Sequence, residues 1–138
     1  MTSPERYSYR EARNASGESL LRPLLPIRLS HDERSTVQYG LLDTGATVNV
    51  LPYEVGLDLG LSWAAQTQPI NLSGNLGQHE ARAVILIGQV GQLEPVPLIF
   101  AWTRAAGMPL LLGQVNFFAE FNVCFFWAQA AFEISPKA

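Results

Sequence analysis

Charge is scarce in this chain. Only 15% of its 138 residues are charged and the net charge is −3. There is no basic block, so nucleic-acid binding has no electrostatic support. Cysteine is nearly absent. The lone Cys124 excludes an internal disulfide, and its place in an apolar run predicts a small buried side chain. The two histidines, His31 and His79, lie far apart and lack a ligand cluster, so neither a metal nor a cofactor is expected. No apolar run approaches the roughly 20 residues that a membrane helix needs. The first seven residues, Met1 to Tyr7, are polar and hold no apolar signal core. The expected setting is the cytoplasm, with no membrane partner.

What the chain does have is apolar material, at 48% of residues. That is enough for a single core, and the length predicts one domain. So little charge around so much apolar surface suggests that a partner covers part of it. Residues 1–19 are polar and rich in Ser, Glu and Arg, and read as a loosely held arm with a short strand near Tyr7–Tyr9. Ordered structure is expected from about Leu20, giving 1–19 as arm and 20–138 as the folded domain. Leu25, Ile27 and Leu29 alternate with polar residues or proline, a strand pattern. Pro23 and Pro26 place that strand at an edge. A charged turn at 31–35 returns the chain along 36–42.

Further strands are expected at 48–51, 79–87, 96–102, 110–112, 123–127 and 131–134, with a helical turn at 52–57. Ala83-Val84-Ile85-Leu86-Ile87 is continuously apolar and predicts a strand buried on both faces. The proline in 96–102 predicts an edge. Residues 114–122 carry Val115, Phe118 and Ala119 at helical spacing, and predict the one good helix. Segments near 70–72 and 79–87 flank Gly74-Asn75-Leu76-Gly77, which reads as a hairpin with a glycine-bearing tip.

One stretch stands out. Asp43 sits between Leu41-Leu42 and Val48, Val50 and Leu51, so an acid is delivered towards a core. A carboxylate there is costly unless it is hydrogen-bonded or put to use. Thr44, Gly45 and Ala46 follow it, small residues that leave room for close approach. A bare Asp-Thr-Gly reads most simply as a tight turn whose Asp bonds its own backbone. The apolar flanks on both sides favour more than that.

With those flanks, Leu42-Asp43-Thr44-Gly45-Ala46 resembles the active-site loop of the retroviral-type aspartic proteases, the retropepsins. The order of features agrees: a strand hairpin from Arg22-Pro23-Leu24, the acid loop, a glycine-bearing hairpin, then Leu111-Leu112-Gly113, a helix and a terminal strand. The resemblance implies an all-β, retropepsin-like half-barrel with one short C-terminal helix, completed as a homodimer. It implies Asp43 as the catalytic residue and Thr44, Gly45 and Ala46 as its loop. Gly74, Asn75, Leu76 and Gly77 become the flap, and Val48 and Leu76 pocket walls for an extended peptide or protein substrate.

Two positions depart from the viral pattern. Gln114 stands where an arginine commonly follows the late glycine, and Thr47 and Val48 stand where acidic residues often follow the active-site alanine. The family's chemistry needs two aspartates, and the chain has one Asp-Thr-Gly. Glu11, Asp32 and Asp58 lack that setting, so a second copy must supply the mate. Two alternatives stay open: an inactive homodimerisation or peptide-binding module on the same fold, and a monomeric β-barrel in which Asp43 caps a turn.

Overall fold

The structure is a computed structural model that describes residues 3–14, 16–72 and 77–138. Among these, the strands in chain order are β1 (Glu5–Ser8), β2 (Arg10–Arg13), β3 (Ser19–Arg22), β4 (Leu24–His31), β5 (Arg34–Leu42), β6 (Asn49–Pro52), β7 (Ala81–Gln89), β8 (Val96–Thr103), β9 (Leu111–Leu112), β10 (Phe121–Phe126) and β11 (Ala131–Pro136). Two short helices, α1 (Tyr53–Asp58) and α2 (Phe117–Glu120), join them. No helix among the described residues is long and apolar enough to cross a membrane.

Six strands close a barrel in the order β4-β5-β9-β6-β8-β7. The alternation along β4 turns Leu25, Ile27 and Leu29 inward, where all three are fully buried. Leu51, Leu86, Leu98, Phe100, Trp102 and Leu112 meet them in one apolar core. Burying side chains of this size contributes roughly 1.5–3 kcal/mol each, and this offsets the ordering of a barrel held largely by contacts distant in sequence. The β4–β5 turn is two residues long, Asp32 and Glu33, and Asp32 takes a positive φ of 52°. Asp tolerates the left-handed region better than most residues.

Outside the barrel, β1, β11 and β10 form a three-stranded sheet in that order, and β2 and β3 form a separate hairpin. Strand structure therefore begins at Glu5, well before Leu20. Its cause is long-range: Tyr7 stacks on Phe132, Arg6 pairs with Glu133 at 2.8 Å, and the Glu5 carboxylate accepts the Gln92 N–H at 2.7 Å.

Several sequence expectations are corrected. The strand at 83–87 is buried on one face only: Val84 and Leu86 are buried, whereas Ile85 and Ile87 are exposed. The outer barrel face carries no second layer there among the described residues. Strand β8 is not an edge, since β7 flanks one side and β6 the other. Pro97 is tolerated because β6 pairs only with residues 100–103, so proline's missing N–H falls before that ladder begins. Likewise β4 meets β7 only at residues 28–30, which leaves Pro26 on a locally open stretch. The predicted helix at 114–122 shrinks to Phe117–Glu120, because Val115 is drawn into a bridge with Val48 and Phe121 opens β10. Cys124 is exposed rather than buried, on the face of β10 opposite Phe121.

Candidate active site

The two residues of β9 explain why Asp43 sits where it does. Leu41 and Leu42 of β5 pair parallel with Leu111 and Leu112, while Val50 of β6 pairs antiparallel with Leu111. Strand β9 is thus wedged between β5 and β6. The loop from 43 to 48 must cross over its end, and Asp43 lies at that crossing.

The loop is clamped to the segment following β9. The Asp43 N–H donates to the Leu112 carbonyl at 3.0 Å, and the Gln114 N–H to the Ala46 carbonyl at 2.9 Å. The Val115 N–H donates to the Thr47 carbonyl at 3.0 Å. Within the loop, Asp43 Oδ1 accepts the Gly45 N–H at 2.9 Å. That last bond is what a simple Asp turn would make. The clamp to residues 112–115 goes further, since a turn alone needs no second segment.

Gly113 makes the clamp possible. A Cβ there would lie 2.6 Å from the Ala46 carbonyl oxygen and 2.7 Å from that of Val48. Both are backbone atoms that cannot swing aside, so only glycine lets the two segments approach this closely. Gln114 braces the loop as well: its Nε2 donates to the Thr44 carbonyl at 2.9 Å.

Beneath the loop lies a polar network that sequence reasoning missed. Asn49 is fully buried. Its Oδ1 accepts the Gly113 N–H at 2.8 Å, and its Nδ2 donates to the Ile99 carbonyl at 2.9 Å and to Asn116 Oδ1 at 3.3 Å. Asn116 Oδ1 also accepts the Ile99 N–H at 2.9 Å. These two amides join β6, β8 and the segment after β9 under the acid. A signal was present: Asn49 interrupts the otherwise apolar run Val48-Asn49-Val50-Leu51, where a polar side chain needs partners.

Asp43 is half-buried rather than turned into the core, and Thr44 and Gly45 are exposed. Asp43 and Thr44 face a groove of about 780 Å³, lined also by Tyr9, residues 19–23, Leu41, Leu42, Phe125 and Trp127. Val48, expected as a pocket wall, packs on a smaller apolar cluster around Val50, Leu72, Ala81 and Ala101. Of the expected flap, Gly77 lies in an exposed turn, and Gly74, Asn75 and Leu76 lie outside the described residues. The base of that hairpin is paired, with the Ile70 N–H bonded to the Ala81 carbonyl and the Ala83 N–H to the Gln68 carbonyl. The Trp63 ring is flanked by the guanidinium groups of Arg82, a residue of β7, and Arg104.

A β-barrel with a strand wedged between two others, and an acid loop crossing its end, defines a class of fold. The chain superimposes on the crystal structure of a retropepsin-like aspartic protease from Rickettsia conorii with a TM-score of 0.61. The match covers 96% of this chain and 99% of that one, at 15% identity. The fold is therefore retropepsin-like, and at that identity the likeness is one of fold. The sequence matches no family model and no curated protein.

Proposed function

We propose that the protein is an aspartic endopeptidase whose active form is a homodimer, with Asp43 of each copy contributing one carboxyl group. The observation that carries this reading is the Asp43-Thr44-Gly45 loop itself, clamped at both ends and facing an open groove. A half-buried acid held in place by a second segment is what general acid–base chemistry on a bound peptide requires. The likeness to a retropepsin-like fold over nearly the whole chain supports the same reading.

Two carboxyl groups meeting across a two-fold axis cannot both ionise cheaply, so the pair shares one proton. The ionised member takes a proton from a water, and the protonated member donates to the scissile carbonyl oxygen. Water attacks to give a tetrahedral intermediate. The proton then passes to the leaving nitrogen, and no acyl-enzyme forms. In this scheme Thr44 ties the two loops together and Gly45 leaves room for the peptide backbone.

The test is incubation of the full chain with an unstructured protein between pH 4 and 7. Expected results are cleavage that vanishes in Asp43→Ala, and inhibition by a peptide mimic carrying a hydroxyl at the cleaved position. A stable dimer without cleavage would replace this reading with the binding module. A strict monomer at micromolar concentration would leave only a barrel with a capped turn.

A further inference from the structure

Between β1 and the barrel the chain makes a detour, the β2–β3 hairpin. It is well built internally. Glu11 pairs with Leu21 and Ala12 with Leu20. Asn14 Oδ1 accepts the N–H groups of Ser16 and Glu18 at 3.0 and 2.9 Å, and Ser19 Oγ donates to Glu11 at 2.5 Å. Its root is fixed beside the acid loop: the Leu42 N–H donates to the Pro23 carbonyl at 3.1 Å, and the Arg10 guanidinium lies over the Tyr39 ring. Yet all four residues of β3 are exposed. A two-stranded hairpin is marginal in water without a surface to pack against. This one offers Leu20 and Leu21 to solvent at 40% and 55% exposure.

Leu20, Leu21, Phe125 and Trp127 all line the Asp43 groove, with Trp127 78% exposed. Strand β10, which carries Phe125, is an outer strand of its sheet among the described residues. A bare tryptophan, two bare leucines and an outer strand edge near one acid are exposed apolar features of the kind that mark an interface.

We infer that the β2–β3 hairpin is a dimerisation arm, its Leu20 and Leu21 seated on the second copy beside Asp43. This inference rests on the dimeric reading above. If Asp43 meets its mate, the two-fold axis passes beside Asp43, and a surface bordering it on one copy faces the same surface on the other. A two-fold interface must be self-complementary. The groove meets that demand, because the leucines of one copy can pack on the tryptophan of the other, and the exchange is reciprocal.

The experiment is sedimentation equilibrium of the full chain and of the Leu20→Ser/Leu21→Ser variant, with cleavage of an unstructured protein followed across the same concentrations. Both leucines are exposed, so the variant keeps its fold, which its melting temperature checks. The expected result is at least a tenfold rise in the dimer Kd. Cleavage is lost at low protein concentration and returns as concentration rises past the new Kd. A variant Kd within twofold of the parent overturns the inference, and a changed cleavage preference at unchanged Kd does so by making the peptide the occupant. A parent chain that never dimerises removes the dimeric enzyme itself, a result readable without the variant.

Discussion

Asn49→Ala tests whether the buried amide network holds the acid loop. Truncation leaves the Gly113 N–H, now bonded at 2.8 Å, without its acceptor, and an orphaned buried donor costs about 1–3 kcal/mol. Loss of the bonds from Nδ2 to the Ile99 carbonyl and Asn116 adds about 1 kcal/mol. The void at a fully buried position adds on the order of 1 kcal/mol. The sum is about 3–5 kcal/mol, a large part of the roughly 5–15 kcal/mol that holds a domain together. At about 3–5 °C per kcal/mol for this size, the melting temperature should fall by roughly 10–20 °C.

Asn49→Asp sharpens the test. It keeps an acceptor for Gly113 but turns a buried carboxylate towards two oxygens, the Ile99 carbonyl and Asn116 Oδ1. The fold then favours the protonated acid, so its folded-state affinity for a proton exceeds that of the unfolded chain. Stability is present at low pH and lost as pH rises. The Asp variant should melt below the Ala variant at neutral pH and recover on acidification. Urea midpoints and thermal melts at both pH values decide it. A loss under about 1 kcal/mol for Asn49→Ala would refute the clamp as an energetic unit.

Other outcomes follow from the same contacts. Gly113→Ala should cost about 2 kcal/mol or more, because the added methyl group meets two backbone oxygens at 2.6 and 2.7 Å; an unchanged urea midpoint would contradict this. Gln114→Ala removes the bond to the Thr44 carbonyl at a solvent-accessible site, so it should cost only about 1 kcal/mol. Hydrogen exchange should nevertheless quicken at the Gly45 and Ala46 amides. Tyr9→Phe should be neutral or stabilising by up to about 1 kcal/mol, since the Tyr9 hydroxyl is buried without a hydrogen-bond partner among the described residues. A loss larger than that would reveal a partner for it.

Burial also pushes the Tyr9 phenol up from its ordinary value, and burial followed by the Glu5 carboxylate does the same to Tyr7. The neutral phenols are favoured in the fold, so their contribution is intact below the ordinary tyrosine range near ~10 and lost as pH climbs through it. Alkaline melts should steepen there, and less so in the Tyr7→Phe/Tyr9→Phe variant.

Local pattern revealed those parts of this fold whose cause is local. The alternation of Leu25, Ile27 and Leu29, and the apolar flanks of Asp43, correctly pointed to barrel strands and to an acid at a strand end. Where pattern misled, a distant neighbour decided. Ile85 and Ile87 look like core residues, yet among the described residues no second layer covers that outer barrel face. Val115 has helical spacing, but Val48 captures it. A short strand near Tyr7 is legible, but its docking is not, because Phe132 and Glu133 hold β1 from the other end of the sequence. The role of Gln114 was invisible for the same reason: its partner, the Thr44 carbonyl, is a backbone group of another segment.

The pairing of β1 with β11 bears on when this molecule is finished during its synthesis. Arg6 waits for Glu133, 127 residues later, and the Tyr9 N–H waits for the carbonyl of Ala130. Loop closure over such spans comes late. Tyr9 is also part of the groove beside Asp43. A ribosome-bound chain that has not yet reached residue 130 therefore carries its acid loop already translated while the groove beside that loop still lacks Trp127 and a docked Tyr9.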